Sequence, residues 1–182
     1  VGTHGQLHLT GEFAHDLVLV ERTRERGTGF LQTEQSLLLA GLAAPEWMAE
    51  GARLLYARAV SDGWAVDGAD GFVYTTDWAG VPVVRERMHW VDAEAIGAAA
   101  ALFTRTSEER YERDYAAWWG YAREHLIDLE GGSWWHELDA SNRPSHVVWE
   151  GKPDLYHAVQ ATLFPRLPLA PALAASLAAR RL

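Results

Sequence analysis

WEGKPDLYHAVQATLFP, residues 149–165, runs from a tryptophan through a Gly-Lys-Pro turn into an apolar segment that carries one histidine and stops at a proline. Asp154 is a good N-cap and Pro165 a stop, so the spacing predicts a helix over 154–164 with His157 in its first turn. There the positive end of the helix dipole disfavours an imidazolium, and burial does the same. A neutral imidazole is expected, able to take a proton from carbon. The alternative is a core histidine satisfied by a backbone carbonyl.

The segments on either side alternate in character. "TEQSLLLAGL" (33–42) reads as a helix ending near Gly41. "APEWMAEGARLLYARAVSDGW" predicts a helix over 45–60, with Pro45 at its first position and an apolar set at Trp47, Leu54, Leu55 and Ala59. Residues 64–87 mix short β-branched and aromatic runs with Asp-Gly and Ala-Gly breaks, the signature of a small hairpin. "HWVDAEAIGAAAALFTRT" predicts a helix over 90–104 that is small or apolar on every side, hence buried all round. Residues 107–128 predict an amphipathic helix capped by Ser107, with a stripe of Tyr111, Tyr115, Trp118, Ala122 and His125 or Leu126. "GGSWWHELDASNRPSHVVWEGKP" reads as short strands around an Asx-rich turn, and a last helix spans 170–181. Buried helices (33–42, 90–104, 154–164) thus alternate with half-exposed ones (45–60, 107–128, 170–181). That is the pattern of an all-α double ring whose inner helices line a cavity.

Composition excludes several classes. A chain of 182 residues suits one domain. Its hydrophobic residues, 48% of the total, form no run near the roughly 18 that a membrane span needs. No cationic leader opens the sequence, so no secretory signal is expected. The formal charge of −9 argues against nucleic acid as a partner. With no cysteine, disulfides, thiolate zinc sites and a Cys nucleophile are excluded, which fits a cytoplasmic protein. Nine tryptophans offer flat faces on which sugar rings stack, or a Trp-rich core. His4 and His8 could share a helix face and hold a metal, but Gly2 and Gly5 argue against that helix. His136-Glu137 lacks the second histidine of a zinc-binding helix. No metal or other cofactor is expected.

"GGSWWHELD", "HWVDAEAIGAAAALF" and above all "VWEGKPDLYHAVQATLFP" closely resemble the C-terminal half of the N-acylglucosamine 2-epimerase superfamily, and within it the aldose–ketose isomerases acting on mannose and related sugars. The resemblance covers residues 32–182, with 1–31 matching poorly. It implies an (α/α)6 barrel of twelve helices, of which this chain would be the C-terminal half with short β-hairpin loops. It also implies a monosaccharide substrate, and that the missing N-terminal half or a second copy covers the apolar inner face. The epimerases of the superfamily usually carry a Trp-Trp pair before the Ala-Glu-Ala segment; "HWVDAEA" favours the isomerase branch.

The resemblance further assigns roles. His157 would be the base that removes the C2 proton and delivers one to C1 through an enediol, and general acid–base work suits an imidazole. Trp90 and Glu94, four apart on one helix face, match sugar-pocket positions. Trp90 would stack on the sugar; Glu94 would bond its hydroxyls or tune a histidine, the alternative being first-turn dipole compensation. Trp134 falls in a loop near the cavity mouth, with packing as the other reading. Lys152 and Asp154 read as turn and cap residues, and Asp154 is also placed to orient His157 or meet substrate. One departure stands out. The family's second catalytic histidine precedes a glutamate by three residues in "GHxxEW", whereas this chain has "GFLQTEQSLLL". Glu34 can take the glutamate's place, but Leu31 then stands where the histidine belongs and Gln35 where Trp is usual. Three readings follow: an isomerase of D-mannose and D-fructose or of a related pair such as lyxose and xylulose; an N-acylglucosamine- or cellobiose-type 2-epimerase; or a non-catalytic fragment of such an enzyme.

Overall fold

A computed structural model describes residues 24–25, 46–169 and 173–179. The helix expected over 33–42 lies outside them. Helix α1 spans Glu46–Gly63 and buries Ala49, Ala52, Tyr56, Ala59 and Gly63. Four small residues accompany one large ring on that face, and Tyr56 meets Tyr111 edge-on at 5.1 Å and Trp118 at 5.8 Å. Trp47 and Leu54 were expected among the buried positions, but they are 62% and 63% exposed. At about 100° per residue they sit nearly opposite Tyr56, so a helix that buries the tyrosine turns them outward.

The next segment holds the expected hairpin. Strands β2 (Thr75–Thr76) and β3 (Pro82–Val84) pair antiparallel, with β1 (Arg24–Glu25) on the other side of β2. The turn forms because Asp77 accepts from the backbone of Ala79 and Val81 at 2.9 and 2.8 Å, with Gly80 in a left-handed conformation. Strand β4 (Arg87–Met88) leaves this sheet for a second one, ordered β4, β5 (Glu137–Leu138), β6 (Pro144–Ser145). A buried ion pair fixes that departure. Arg87 bonds both oxygens of Asp67 at 2.9 and 2.7 Å and also reaches the carbonyls of Asp70, Ala69 and Arg85. Gly71 lies so close under Tyr121 that a Cβ there would come within 2.5 Å of the phenol oxygen.

Helix α2 (His89–Thr106) follows β4 without a break and is buried almost continuously from Val91 to Leu102. Its alanines let α3 (Glu109–Tyr121) and α4 (Tyr156–Leu163) pack close on it. Ser107, expected as the N-cap of α3, instead ends α2 in a left-handed conformation, its N–H donating to Phe103 O. The N-cap of α3 is Glu108, because a two-residue corner leaves Ser107 occupied with turning the chain. The stripe of α3 is buried at Tyr111 and Trp118 and continues into a π-helical turn, Ala122–Leu126, where Leu126 and not His125 completes it. Trp64, Phe72, Trp118 and Tyr121 interlock with ring centroids 4.9–6.0 Å apart. Helix α4 is less enclosed than expected. It buries Ala158, Gln160 and Ala161 against α2, while Leu155, Tyr156 and Val159 face outward. Helix α5 spans Leu173–Ala179. Among the described residues no helix is long and apolar enough to cross a membrane.

Candidate active site

The N-terminal halves of α2 and α4 meet. The Glu94 side chain, 1% exposed, places Oε1 2.8 Å from His157 Nδ1. Gln160, one turn further along α4, donates to the same oxygen at 3.3 Å. A carboxylate can only accept, so Nδ1 carries the proton of this bond, and in the neutral ring Nε2 is the lone-pair nitrogen. Glu94 Oε2 is buried and unbonded among the described residues, an acceptor ready for a hydroxyl. The imidazole of His157 is 27% exposed, so one side of it remains open. Trp90 inclines its ring to that imidazole at 6.0 Å and 40°, and is itself propped edge-on by Tyr74. An oriented imidazole, a buried acceptor and a flat aromatic face therefore lie side by side.

A second histidine stands behind the first, and the sequence reading did not single it out. His89 is 3% exposed and packs edge-on to His157, ring centroids 5.9 Å apart. Its Nδ1 donates to the carbonyl of His136 at 3.2 Å, and its backbone N–H donates to the same oxygen at 3.1 Å. Burial lowers the His89 imidazole to about 4, against the pull of that carbonyl and with the repulsion of His136 and His157 added. It is a neutral ring whose buried Nε2 has no hydrogen-bond partner among the described residues. Its only sequence signal was its place beside Trp90 in "HW".

The other expected site residues are placed as follows. Trp134 lies in the core, 7% exposed, 6.0 Å from Trp119 and bridged through its backbone to Ile127; its surroundings are those of a packing residue. Asp154 is exposed and accepts from Tyr156 N at 2.8 Å, so it braces the start of α4 one residue before the N-cap, Leu155. The partner that orients His157 is Glu94. Lys152 does more than turn the chain: it sits 3.5 Å over the ring of Trp135 and pairs with Asp128 at 2.6 Å. Glu34, Leu31 and Gln35 lie outside the described residues. Among the described residues no group of three or more His, Asp or Glu side chains is placed to hold a metal ion.

The profile of the N-acylglucosamine 2-epimerase family matches residues 30–161, a stretch that contains Trp90, Glu94 and His157. The chain belongs to that family. Curated members include the D-mannose isomerase of Pseudomonas cannabina pv. alisalensis, 53% identical over 148 residues, which takes in 81% of this chain and 36% of the relative. The D-mannose isomerase of Thermobifida fusca is 55% identical over 135 residues, 74% of this chain and 33% of the relative. The chain thus spans about a third of the length of the relatives it matches. Among solved structures, one of a D-mannose isomerase superposes with a TM-score of 0.72 at 24% identity, covering 78% of this chain and 36% of the other. The cellobiose 2-epimerase of Spirochaeta thermophila gives 0.62 at 25% identity, covering 84% and 36%. The fold is that of the family's (α/α)6 barrel, of which the described helices form a part. Within the family segment lie Glu34, Trp90, Glu94, Trp134, Asp154 and His157, so every residue singled out for the site falls inside the matched stretch.

Proposed function

We propose that this chain is the C-terminal part of an aldose–ketose isomerase that interconverts D-mannose and D-fructose. The observation that carries the reading is the Glu94–His157 bond at 2.8 Å beside Trp90. With Nδ1–H committed to the carboxylate, Nε2 of His157 takes the C2 proton of the open-chain aldose, and the electron pair moves through C1 to its carbonyl oxygen. In the resulting enediolate the O2 hydroxyl proton passes to O1, and His157 returns its proton to C1, giving the ketose. Glu94 keeps the imidazole in the productive tautomer and offers Oε2 to a sugar hydroxyl, while Trp90 supplies the face on which the ring stacks. Glu34 would serve as a further catalytic carboxylate, and Asp154 would lie at the substrate's edge as it fixes the start of α4. The remaining part of the barrel, or a second copy, would cover the outward side of Leu155, Tyr156 and Val159. A cytoplasmic location suits a cysteine-free enzyme of free sugars.

The 53% and 55% identities to curated D-mannose isomerases support the isomerase over a 2-epimerase, in which the same enediol would be reprotonated at C2. The test is sugar analysis of the full-length protein supplied with mannose. Fructose formed by the wild type, with a 10²–10⁴-fold loss in His157→Asn, is the expected result. Glucose without fructose would assign the epimerase instead, and equal fructose from both proteins would remove His157 from the chemistry. Trp90→Ala should raise KM more than it lowers kcat, since it removes a stacking face and no proton carrier.

A further inference from the structure

We propose that Glu137 is a positioning residue of this pocket, acting through the 145–149 loop and His136 to fix His89 and, behind it, His157. The proposal rests on reading His157 as the proton-transfer base. Glu137 is completely buried, in a strand where a leucine would fill the space at lower cost. Its carboxylate is the convergence point of a loop: Oε1 accepts from Val147 N at 2.5 Å, and Oε2 from Val148 N and Trp149 N at 2.9 Å each. Burial pushes this carboxyl up, but the Ser145 side chain and the N–H groups of Trp149, Val147 and Val148 together hold it below the ordinary carboxylate range.

The placement of Glu137 shows what those bonds serve. Its main chain lies between two strands, opposite Met88 of β4 and opposite Ser145 of β6. The ladder with β6 ends at that pair, and the Glu137 side chain takes over where the ladder stops, tying down the next backbone donors. The loop so held lays Trp149 flat on the imidazole of His136, 5.4 Å between centroids and 13° between planes. His136 in turn offers its carbonyl to both the backbone N–H and Nδ1 of His89. His89 then packs edge-on to His157. One residue therefore pairs through its main chain with the strand that leads into α2, and through its carboxylate holds the loop that stacks on His136. A glutamine is no substitute: its amide NH2 would point at a backbone N–H and release at least one end of the loop.

The experiment compares Glu137→Gln and Glu137→Asp with wild type in the full-length protein. Each is read by kcat and KM for fructose formation well below its melting temperature, and by long-range 1H–15N NMR of the histidine tautomers. Small misplacements of a reacting group cost up to about 10²-fold, so kcat should fall about 10- to 100-fold with KM little changed. The Nδ1–H signal of His89 should shift at the same time. Glu137→Asp, which keeps the charge, should recover part of both. A folded Glu137→Gln protein with wild-type kcat and an unmoved His89 signal would overturn the proposal. Should that variant fail to fold, Trp149→Leu interrupts the same path at the His136 stack and must shift the His89 signal and lower kcat; wild-type values there would overturn it equally. If the wild type makes no fructose, the functional reading fails on its own, and the NMR comparison still decides whether Glu137 governs His89.

Discussion

Replacing His89 with glutamine should remove a defined part of the protein's acid sensitivity. In the folded state the imidazole is lowered from 6.5 to about 4, first by burial. The unfolded chain therefore binds a proton that the folded chain refuses throughout that window. Stability from this group is complete above pH 6.5 and is lost progressively as the pH falls towards 4. The shift amounts to about 3 kcal/mol when fully expressed, of which about 2 kcal/mol should have gone between pH 7.5 and pH 5. Glutamine retains a side-chain donor for the His136 carbonyl and cannot charge. Urea unfolding of wild type and His89→Gln at pH 7.5, 6 and 5 isolates the term, since all other titrating groups are common to both. The wild type should lose about 2 kcal/mol more than the variant across that range. Parallel curves would mean that His89 is hydrated or paired when charged, and that its burial carries no electrostatic cost.

Three further outcomes are expected. Glu94→Gln should remain folded but lose about 10²-fold or more in fructose formation, because an amide no longer fixes the His157 tautomer as a carboxylate does; turnover within twofold of wild type would contradict that role. Asp67→Asn strips Arg87 of its counter-charge in the interior and should cost about 3 kcal/mol in chemical denaturation, the low end for a broken buried pair because three carbonyls still receive the guanidinium. A loss under about 1 kcal/mol would show the pair to be dispensable. Burial pushes the carboxyl of Asp92 well above its ordinary value, and both of its oxygens are buried without a partner among the described residues. The folded state thus holds a proton the unfolded state releases, and stability from this group falls as the pH rises above about 3.8. Asp92→Asn should therefore gain stability at pH 8 and little at pH 4, and the opposite order in thermal melts would refute the assignment.

The parts of the fold visible in the sequence were those where chemistry repeats along the chain. The all-apolar circumference of 90–104 announced a buried helix, and the Asp154 and Pro165 punctuation bracketed α4 to within two residues. Helical spacing put Trp90 and Glu94 on one face, and the family resemblance implied that His157 lies beside them, where the structure places it. What escaped was set by contacts far apart in sequence. His89 and Glu137 are 48 positions apart, and only the β4–β5 pairing brings their strands together. The Lys152–Trp135 contact depends on a loop path that no local pattern encodes. Ser107 misled because a capping residue and a left-handed corner residue look alike at a helix junction, and the two-residue connection decided between them. Trp47 and Leu54 misled because apolar residues alone do not say which face of a helix meets the core.

The π-helical turn at Ala122–Leu126 imposes a constraint of another kind. Ile127 N–H reaches back five residues to Ala122 O at 2.8 Å, one residue beyond the α-helical repeat. That surplus residue sets the angle at which the chain leaves α3, and Trp135 N–H then binds Leu126 O at 2.7 Å to begin the path towards His136 and Glu137. Arg123 and Glu124 project into solvent and are open to exchange. Removing any one residue of the five would tighten the turn to an ordinary helix and rotate everything after it by about 100°. The rotation would carry the carbonyl of His136 away from the ring it holds. Evolution can rewrite the outward letters of this stretch, Arg123 and Glu124, but it has to keep the number of residues.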